Sequence, residues 1–225
     1  MITVGARRLI HSHGKDGEEG MQVPKVVDQE ARRRDIAEAV FRVIGDSGME
    51  GVSLRGVADE AGVSMGTIQH YFGSKDRMLI FALDHMQQRA GLRFASQLAR
   101  LPNPTTRDHL RAILRVLLPT DKQRHQEATV NIAFFSVANS NRRYREILRD
   151  GYTQLLALVQ RQLVVAEENG ELAPDTDIER ESAALFYATQ GLIGPVLIGI
   201  LSGDQALAIL DHQLDRLFVP AFANT

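Results

Sequence analysis

Apolar residues recur every three or four positions along most of the chain, and the C-terminal two thirds carry no strand signal. From Asp28 to Gly48, Ile36, Ala39, Val40, Val43 and Ile44 share one helical face, with Ser47-Gly48 as the stop. The stretch Ser53 to Phe72, SLRGVADEAGVSMGTIQHYF, predicts two short helices joined by a tight turn. Ser53 and Ser64 each precede a helical apolar pattern, where a hydroxyl can accept from a backbone N–H of the first turn. Gly62 can take the positive φ that ends a helix sharply. Leu54, Val57, Ala58 and Ala61 form the inward face of the first short helix, and Ile68, Tyr71 and Phe72 that of the second. Met65, Gly66, Thr67, Gln69 and His70 are left facing outward, short, polar or flexible and able to approach a groove. A helical hairpin in an ordinary core would share the Ala58–Gly62 spacing. The caps, the turn glycine and the polar face together favour DNA binding.

The same periodicity continues. Ser74 caps a helix running through Met78, Leu79, Ala82 and Met86 towards Leu98, and Pro102 and Pro104 bound a linker. Leu110, Ile113, Leu114, Leu117 and Leu118 mark a helix stopped by Pro119. Asp121 to Asn139 is the next, with Asn131 set among Val130, Ile132, Phe134 and Phe135. A buried amide there needs a partner, more often another helix than a ligand. Tyr144 to Glu168 is a long amphipathic helix turning Leu148, Tyr152, Leu155, Leu156, Val159 and Leu163 inward, and Asn169-Gly170 ends it.

Ile178 to Leu201 is apolar almost all round. Thr189, Gln190, Pro195 and the glycines argue against a membrane span, so the helix is expected to be buried on both sides. One face meets the chain's own core and the other a second copy. Ala184, Ala188 and Gly191 make a small stripe for close approach, and the last helix, Gln205 to Phe218, adds Ile209, Leu210, Leu214 and Leu217. Half of a four-helix homodimer interface is the expectation.

Composition narrows the function. Apolar residues make up 44% and charged residues 24% of the 225-residue chain, as in soluble globular proteins. The absence of cysteine excludes disulfides, thiolate metal sites and a cysteine nucleophile, and suits a cytoplasmic address. No secretory signal pattern follows Arg7 and Arg8. With a formal net charge of −2, contact with nucleic acid must rest on a local patch rather than on a whole-molecule field. Arg32, Arg33 and Arg34 supply one basic cluster, weakened by Asp35 and Glu38. Lys75 stands at a helix N-terminus, where the dipole disfavours a cation, which points to an outside anion such as a DNA phosphate. Residues 1–23 lack any apolar period and are expected to be a disordered tail. Within it Arg7, Arg8 and Lys15 are a less favoured minor-groove arm, and Met21 is an alternative start to Met1.

The run GVSMGTIQHYFGSKDRML, Gly62 to Leu79, with Leu54-Arg55-Gly56-Val57-Ala58 before it, resembles the signature of the TetR family of one-component bacterial regulators. The resemblance implies an all-α fold: a helix-turn-helix DNA-binding domain over 24–73, then an effector-binding and dimerisation domain over 74–225. It also implies phosphate contacts from Thr67, His70, Tyr71 and Lys75. Ser53, Arg55, Ser64 and Met65 complete the candidate DNA-facing set. The family often carries tyrosine where this chain has Gln69. Glutamine can pair in bidentate fashion with adenine, which makes Gln69 the leading base-reading candidate.

The function so implied is a repressor, binding a near-palindromic operator as a homodimer and released by a small hydrophobic effector. The candidate effector residues are Asn131, Phe134, Phe135, Tyr152, Phe186, Tyr187 and Gln190, although core packing explains most aromatics in such positions. The alternative is an all-helical enzyme or small-molecule carrier whose N-terminal helices only pack; a DNA-binding architectural protein without an effector is a weaker one. His85, His109, His125 and His212 have no metal-ligand spacing, and no phosphate loop or nucleophile elbow is present. No catalytic residue, metal or cofactor is expected.

Overall fold

The computed structural model describes residues 25–219. Helix α1 spans Lys25–Ser47, α2 Leu54–Ala61, α3 Met65–Phe72, α4 Lys75–Leu98 and α5 Thr106–Leu117. They are followed by α6 Lys122–Val137, α7 Arg142–Glu168, α8 Ile178–Leu197 and α9 Gly203–Leu217. The described residues hold no strand, only an isolated bridge between Leu172 and Phe218. The expected tail, its basic residues and the alternative start lie outside the described residues.

Short polar side chains begin every helix from α2 onward. Ser53, Ser64, Ser74, Thr105, Asp121, Asn141, Asp177 and Ser202 each accept from a backbone N–H in the first turn that follows. Each such cap is worth about 1 kcal/mol against alanine, so helix starts are encoded locally. The predicted ends held less well at two places. Helix α1 begins at Lys25 rather than Asp28. Helix α8 stops at Leu197 rather than Leu201, where the chain turns through Gly199 at φ 77° and the Pro195 carbonyl accepts from the N–H groups of Ile200 and Leu201, at 2.8 and 3.1 Å.

Two apolar cores follow. The first gathers Ile36, Val40, Phe41 and Ile44 of α1 with Val57, Ala58, Ile68 and Phe72, and with Met78, Leu79, Ala82 and Leu83 of α4. It continues into α6 and α7 through Val130, Phe134, Tyr144 and Leu148. The packing around α1–α3 therefore runs past residue 73 without a break. The second core joins α5, α7, α8 and α9 through Leu110, Leu114, Val159, Leu163, Leu185, Phe186, Leu210 and Leu214. Ser182 and Thr189, buried polar residues of α8, bond back to the carbonyls of Ile178 and Leu185, which makes their burial tolerable.

Of the four α9 residues expected at a dimer interface, Leu210, Leu214 and Leu217 turn into the chain's own core and only Ile209 stays outside. In the single chain the α8 stripe is exposed: Ala184, Ala188 and Gly191 face away from the core together with Tyr187. A Cβ placed on Gly191 or Gly194 would meet nothing within 4 Å. In the turn after α8, Ile198 and Ile200 are 74% and 68% exposed, which extends the apolar surface to the end of the molecule.

Candidate nucleic-acid interface and effector cavity

Helices α2 and α3 are set by their caps and by one turn. The Oγ of Ser53 accepts from the Gly56 N–H at 3.0 Å, and that of Ser64 from the Thr67 N–H at 3.0 Å. Between them Gly62 sits at φ 65°, with its N–H directed at the last carbonyls of α2 and the Val63 N–H bonded to Ala58 O at 3.0 Å. A side chain there would clash with no neighbour, so backbone conformation alone selects glycine. Gly73, at φ 72°, ends α3 in the same way.

Ile68 and Phe72 anchor α3 in the first core and Tyr71 is half-buried. Met65, Gly66, Gln69 and His70 are exposed, as the sequence pattern predicts, and Thr67 is half-exposed with its hydroxyl on Ser64 Oγ at 2.8 Å. Arg55 is exposed on α2 and Lys75 half-exposed at the start of α4, and neither forms an ion pair among the described residues. Nearby acids are partly engaged. Glu60 is bonded by Arg42, and Asp76 accepts from the Tyr144 hydroxyl at 2.7 Å. Burial and this bond hold the Tyr144 phenol well above its usual range. Within the Arg32–Arg34 cluster, Arg32 and Arg34 are exposed, whereas Arg33 pairs with Glu30 and lies 4.1 Å from the Phe81 ring centroid.

A cavity of about 410 Å³ lies between α4, α5, α6, α7 and α8. Asn131, Tyr152 and Gln190 line it, three of the seven candidate effector residues. Asn131 is half-buried at the cavity wall rather than enclosed among its neighbours. A second cavity of about 330 Å³ shares Leu148 and Tyr152 with the first and takes in Phe135 and Tyr187. Phe135 is 61% exposed and Tyr187 56%, so both lie on the outer surface. Phe134 and Phe186 line neither cavity. Each is fully buried, Phe134 edge-on to Tyr144 at 5.4 Å and Phe186 edge-on to Tyr152 at 5.8 Å. Burial, with the neighbouring Tyr187, also raises the pKa of Tyr152, which is therefore neutral at physiological pH.

Among the wall residues that escaped the sequence reading are Arg124 and Glu127, both buried. A signal was present, because positions 124, 127, 128 and 131 repeat at three and four residues and put Arg124, Glu127 and Asn131 on one stripe of α6. Glu127 is tightly held. Arg93 donates to both of its oxygens, one at 2.9 Å, and Gln123 donates at 3.3 Å. Arg89 Nε lies 3.6 Å away, and the same guanidinium bonds Glu38 of α1, which also contacts His85 Nε2 at 3.0 Å. A charged chain therefore runs from the cavity wall through α4 to the first helix of the DNA-binding head. His85 is stacked between Phe41 and Phe81; His125 and His212 are exposed, and no group of three His, Cys, Asp or Glu among the described residues is placed to hold a metal.

A capped helix-turn-helix with an exposed second helix, joined by one long helix to an all-helical domain enclosing a cavity, defines a DNA-binding regulator of the one-component kind. Comparison with known proteins agrees. Residues 36–80 match the profile of bacterial regulatory proteins of the tetR family, and residues 106–219 that of the BetI-type transcriptional repressor C-terminal domain. The chain belongs to the TetR family. It is 32% identical over 170 residues to the HTH-type transcriptional regulator PksA of Bacillus subtilis (strain 168), covering 76% of this chain and 80% of that one. It is also 32% identical over 126 residues to the regulator BetI of Rhizobium meliloti (strain 1021), covering 56% and 61% respectively. A transcriptional regulator from Rhodococcus sp. Rha1 superposes with a TM-score of 0.70 at 29% identity, over 81% of this chain and 93% of that one. One from Saccharomonospora viridis, solved in complex with choline, gives 0.73 at 24% identity over 85% and 100%. The protein is a helix-turn-helix, DNA-binding transcriptional regulator, and no described helix is long and apolar enough to cross a membrane.

Proposed function

We propose that the chain is a repressor that binds a near-palindromic operator as a homodimer and leaves it when a small, largely apolar effector enters the 410 Å³ cavity. The observation that carries this reading is α4. Its first half packs in the same core as α1–α3, and its second half, through Gln87, Ala90, Gly91 and Phe94, forms a wall of the cavity. Occupancy of the cavity and placement of the DNA-binding head are thus properties of one helix, and an effector need only favour one head spacing by a few kcal/mol.

On the DNA side, Gln69 reads a base in the major groove. Thr67, His70, Tyr71 and Lys75 hold phosphates, with Ser53, Arg55, Ser64 and Met65 around them. The division at residue 73 separates reading from sensing in role, although packing crosses it. Dimerisation uses the exposed face of α8 and the outer side of α9. No enzymatic activity is assigned: the relatives are named as regulators. A cytoplasmic address follows from contact with chromosomal DNA.

A gel shift on the promoter beside the protein's own gene tests the reading. Binding at low salt that weakens in Gln69→Ala and Tyr71→Ala supports it; no binding by the wild-type dimer would sink it.

A further inference from the structure

We infer that Met65 is a second specificity-determining residue, reading the C5-methyl group of one thymine in each operator half-site. The inference rests on α3 lying in the major groove, as proposed above. Met65 is 48% exposed, the one large apolar side chain left exposed between residues 29 and 73, and it belongs to neither apolar core. It stands at the first position of α3, directly after the Ser64 cap, and helices that read DNA place their N-terminal residues at the base edges. An apolar side chain kept in water at that place gains most by meeting an apolar group on the DNA.

The major groove presents one such group. Guanine, cytosine and adenine offer hydrogen-bond donors and acceptors there, which a thioether with no donor and only a weak acceptor cannot match, whereas thymine adds a methyl group. Gly66 leaves the approach open. A Cβ at that position would meet only the Ser64 Oγ, at 3.6 Å, an ordinary contact, so the chain's own packing does not call for glycine. Glycine in the first turn weakens the helix, and what it gives in return is a backbone that another surface can approach closely. Met65 and Gln69 share the outward face of α3, both exposed while Ile68 and Phe72 are buried. Their four-residue spacing is about 6 Å along the helix axis. That is at most about two base-pair steps of roughly 3.4 Å, so the thymine is expected within about two base pairs of the base read by Gln69.

Replacing thymine with deoxyuridine removes that methyl group and leaves every hydrogen-bonding atom in place, which makes it the test. An operator is first selected from random duplex DNA by the full chain; each thymine is then replaced singly and in symmetric pairs, and affinity is read by fluorescence anisotropy. At one position per half-site the replacement should weaken binding about fourfold, and about fifteenfold when made in both half-sites, as expected for burying one methyl group each time. Met65→Ala should bring the thymine-to-deoxyuridine ratio at that position close to one. Met65→Leu, which keeps an apolar side chain, should hold the ratio above one. An operator in which no thymine shows a methyl effect would overturn the inference and leave α3 in the groove, and so would an effect that survives Met65→Ala undiminished. If the full chain selects no sequence from random duplex, the DNA reading itself falls and takes the inference with it.

Discussion

Arg89 is the residue through which the cavity wall and the DNA-binding head touch electrostatically, and replacing it with methionine isolates that link. Its guanidinium bonds Glu38 of α1 and lies 3.6 Å from Glu127 at the cavity, with its side chain 22% exposed. Methionine keeps much of the stem's packing and removes both contacts. Glu127 retains Arg93 and Gln123, so the loss there is a screened attraction rather than an orphaned charge. Glu38 keeps His85 but loses a charge-assisted bond of about 1.5–3 kcal/mol. Because a third of the Glu38 side chain is exposed, solvent screening cuts this to about 1–2 kcal/mol.

The assay is a double-mutant cycle on Arg89→Met and Glu38→Gln, by chemical denaturation at one fixed protein concentration, since a dimer's stability depends on concentration. A coupling of about 1 kcal/mol is expected. The cycle is then repeated on operator affinity with and without a ligand that fills the cavity. The ratio by which that ligand weakens DNA binding should fall about tenfold in Arg89→Met, the loss of roughly 1.4 kcal/mol of coupling between sites. A stability coupling below about 0.3 kcal/mol, with an unchanged ratio, would show that the charged chain transmits nothing.

Tyr144→Phe removes one hydroxyl and leaves the ring on Phe134; it should cost about 1 kcal/mol of stability through the lost bond to Asp76 and alter operator affinity by loosening the first turn of α4, which thermal melts and gel shifts would show. Gln69→Ala should lower discrimination at one base pair per half-site by about 1–3 kcal/mol, whereas Lys75→Ala should weaken all sequences alike and flatten the salt dependence, both read by binding to operator variants. Ala188→Arg places a charge on the exposed small stripe of α8 and should yield monomers by analytical ultracentrifugation, with operator binding lost. Asp211 accepts from Arg111 at 2.5 and 2.9 Å, and that bond, against some burial, holds its carboxyl below the usual value. A depressed carboxyl stabilises the fold above its unfolded value of about 3.9 and ceases to do so as pH falls through the folded value. The melting-temperature gap between wild type and Asp211→Asn should therefore be largest near neutral pH and close as pH falls through the folded value, below that of the unfolded carboxyl; a gap independent of pH would refute the pairing.

What was legible in the sequence is what depends on near neighbours. Ser53, Gly62 and Ser64 act within four residues of themselves, so their roles follow from spacing alone, and the outward set on α3 follows from the helical period. The seven effector candidates depended on which helices face one another, which no local pattern determines. Phe134 and Phe186 were bulky enough to be drawn into the cores, while Phe135, one residue along α6 and so turned about 100° away, emerged at the surface. Leu210, Leu214 and Leu217 fill α9's inner face, so Ile209 alone was free for a partner. Arg124 was missed because a charged residue beside a helix start is usually solvated, and only tertiary packing shows it walled in with unfilled donors.

The geometry of α4 also limits how small an effector-induced movement can be and still matter. Met86 is the last α4 residue in the core of the head, and Gln87 the next in the cavity wall, with Gly91 one turn further on. From Gly91 back to Lys75 the helix rises about 24 Å at 1.5 Å per residue. A tilt of about 5° at the cavity therefore displaces Lys75 by about 2 Å. In a two-fold dimer both heads move, which changes their separation by up to about 4 Å against the roughly 34 Å between successive major-groove faces. That is comparable with the reach of a single hydrogen bond at each end, so contacts from Gln69 and Lys75 could not all be kept on both half-sites. Arg89, about half a turn before Gly91, bonded to Glu38 of α1 and 3.6 Å from Glu127 of α6, sits at the fulcrum of this lever. The same position explains why the cavity needs no direct contact with the DNA-reading face to control it.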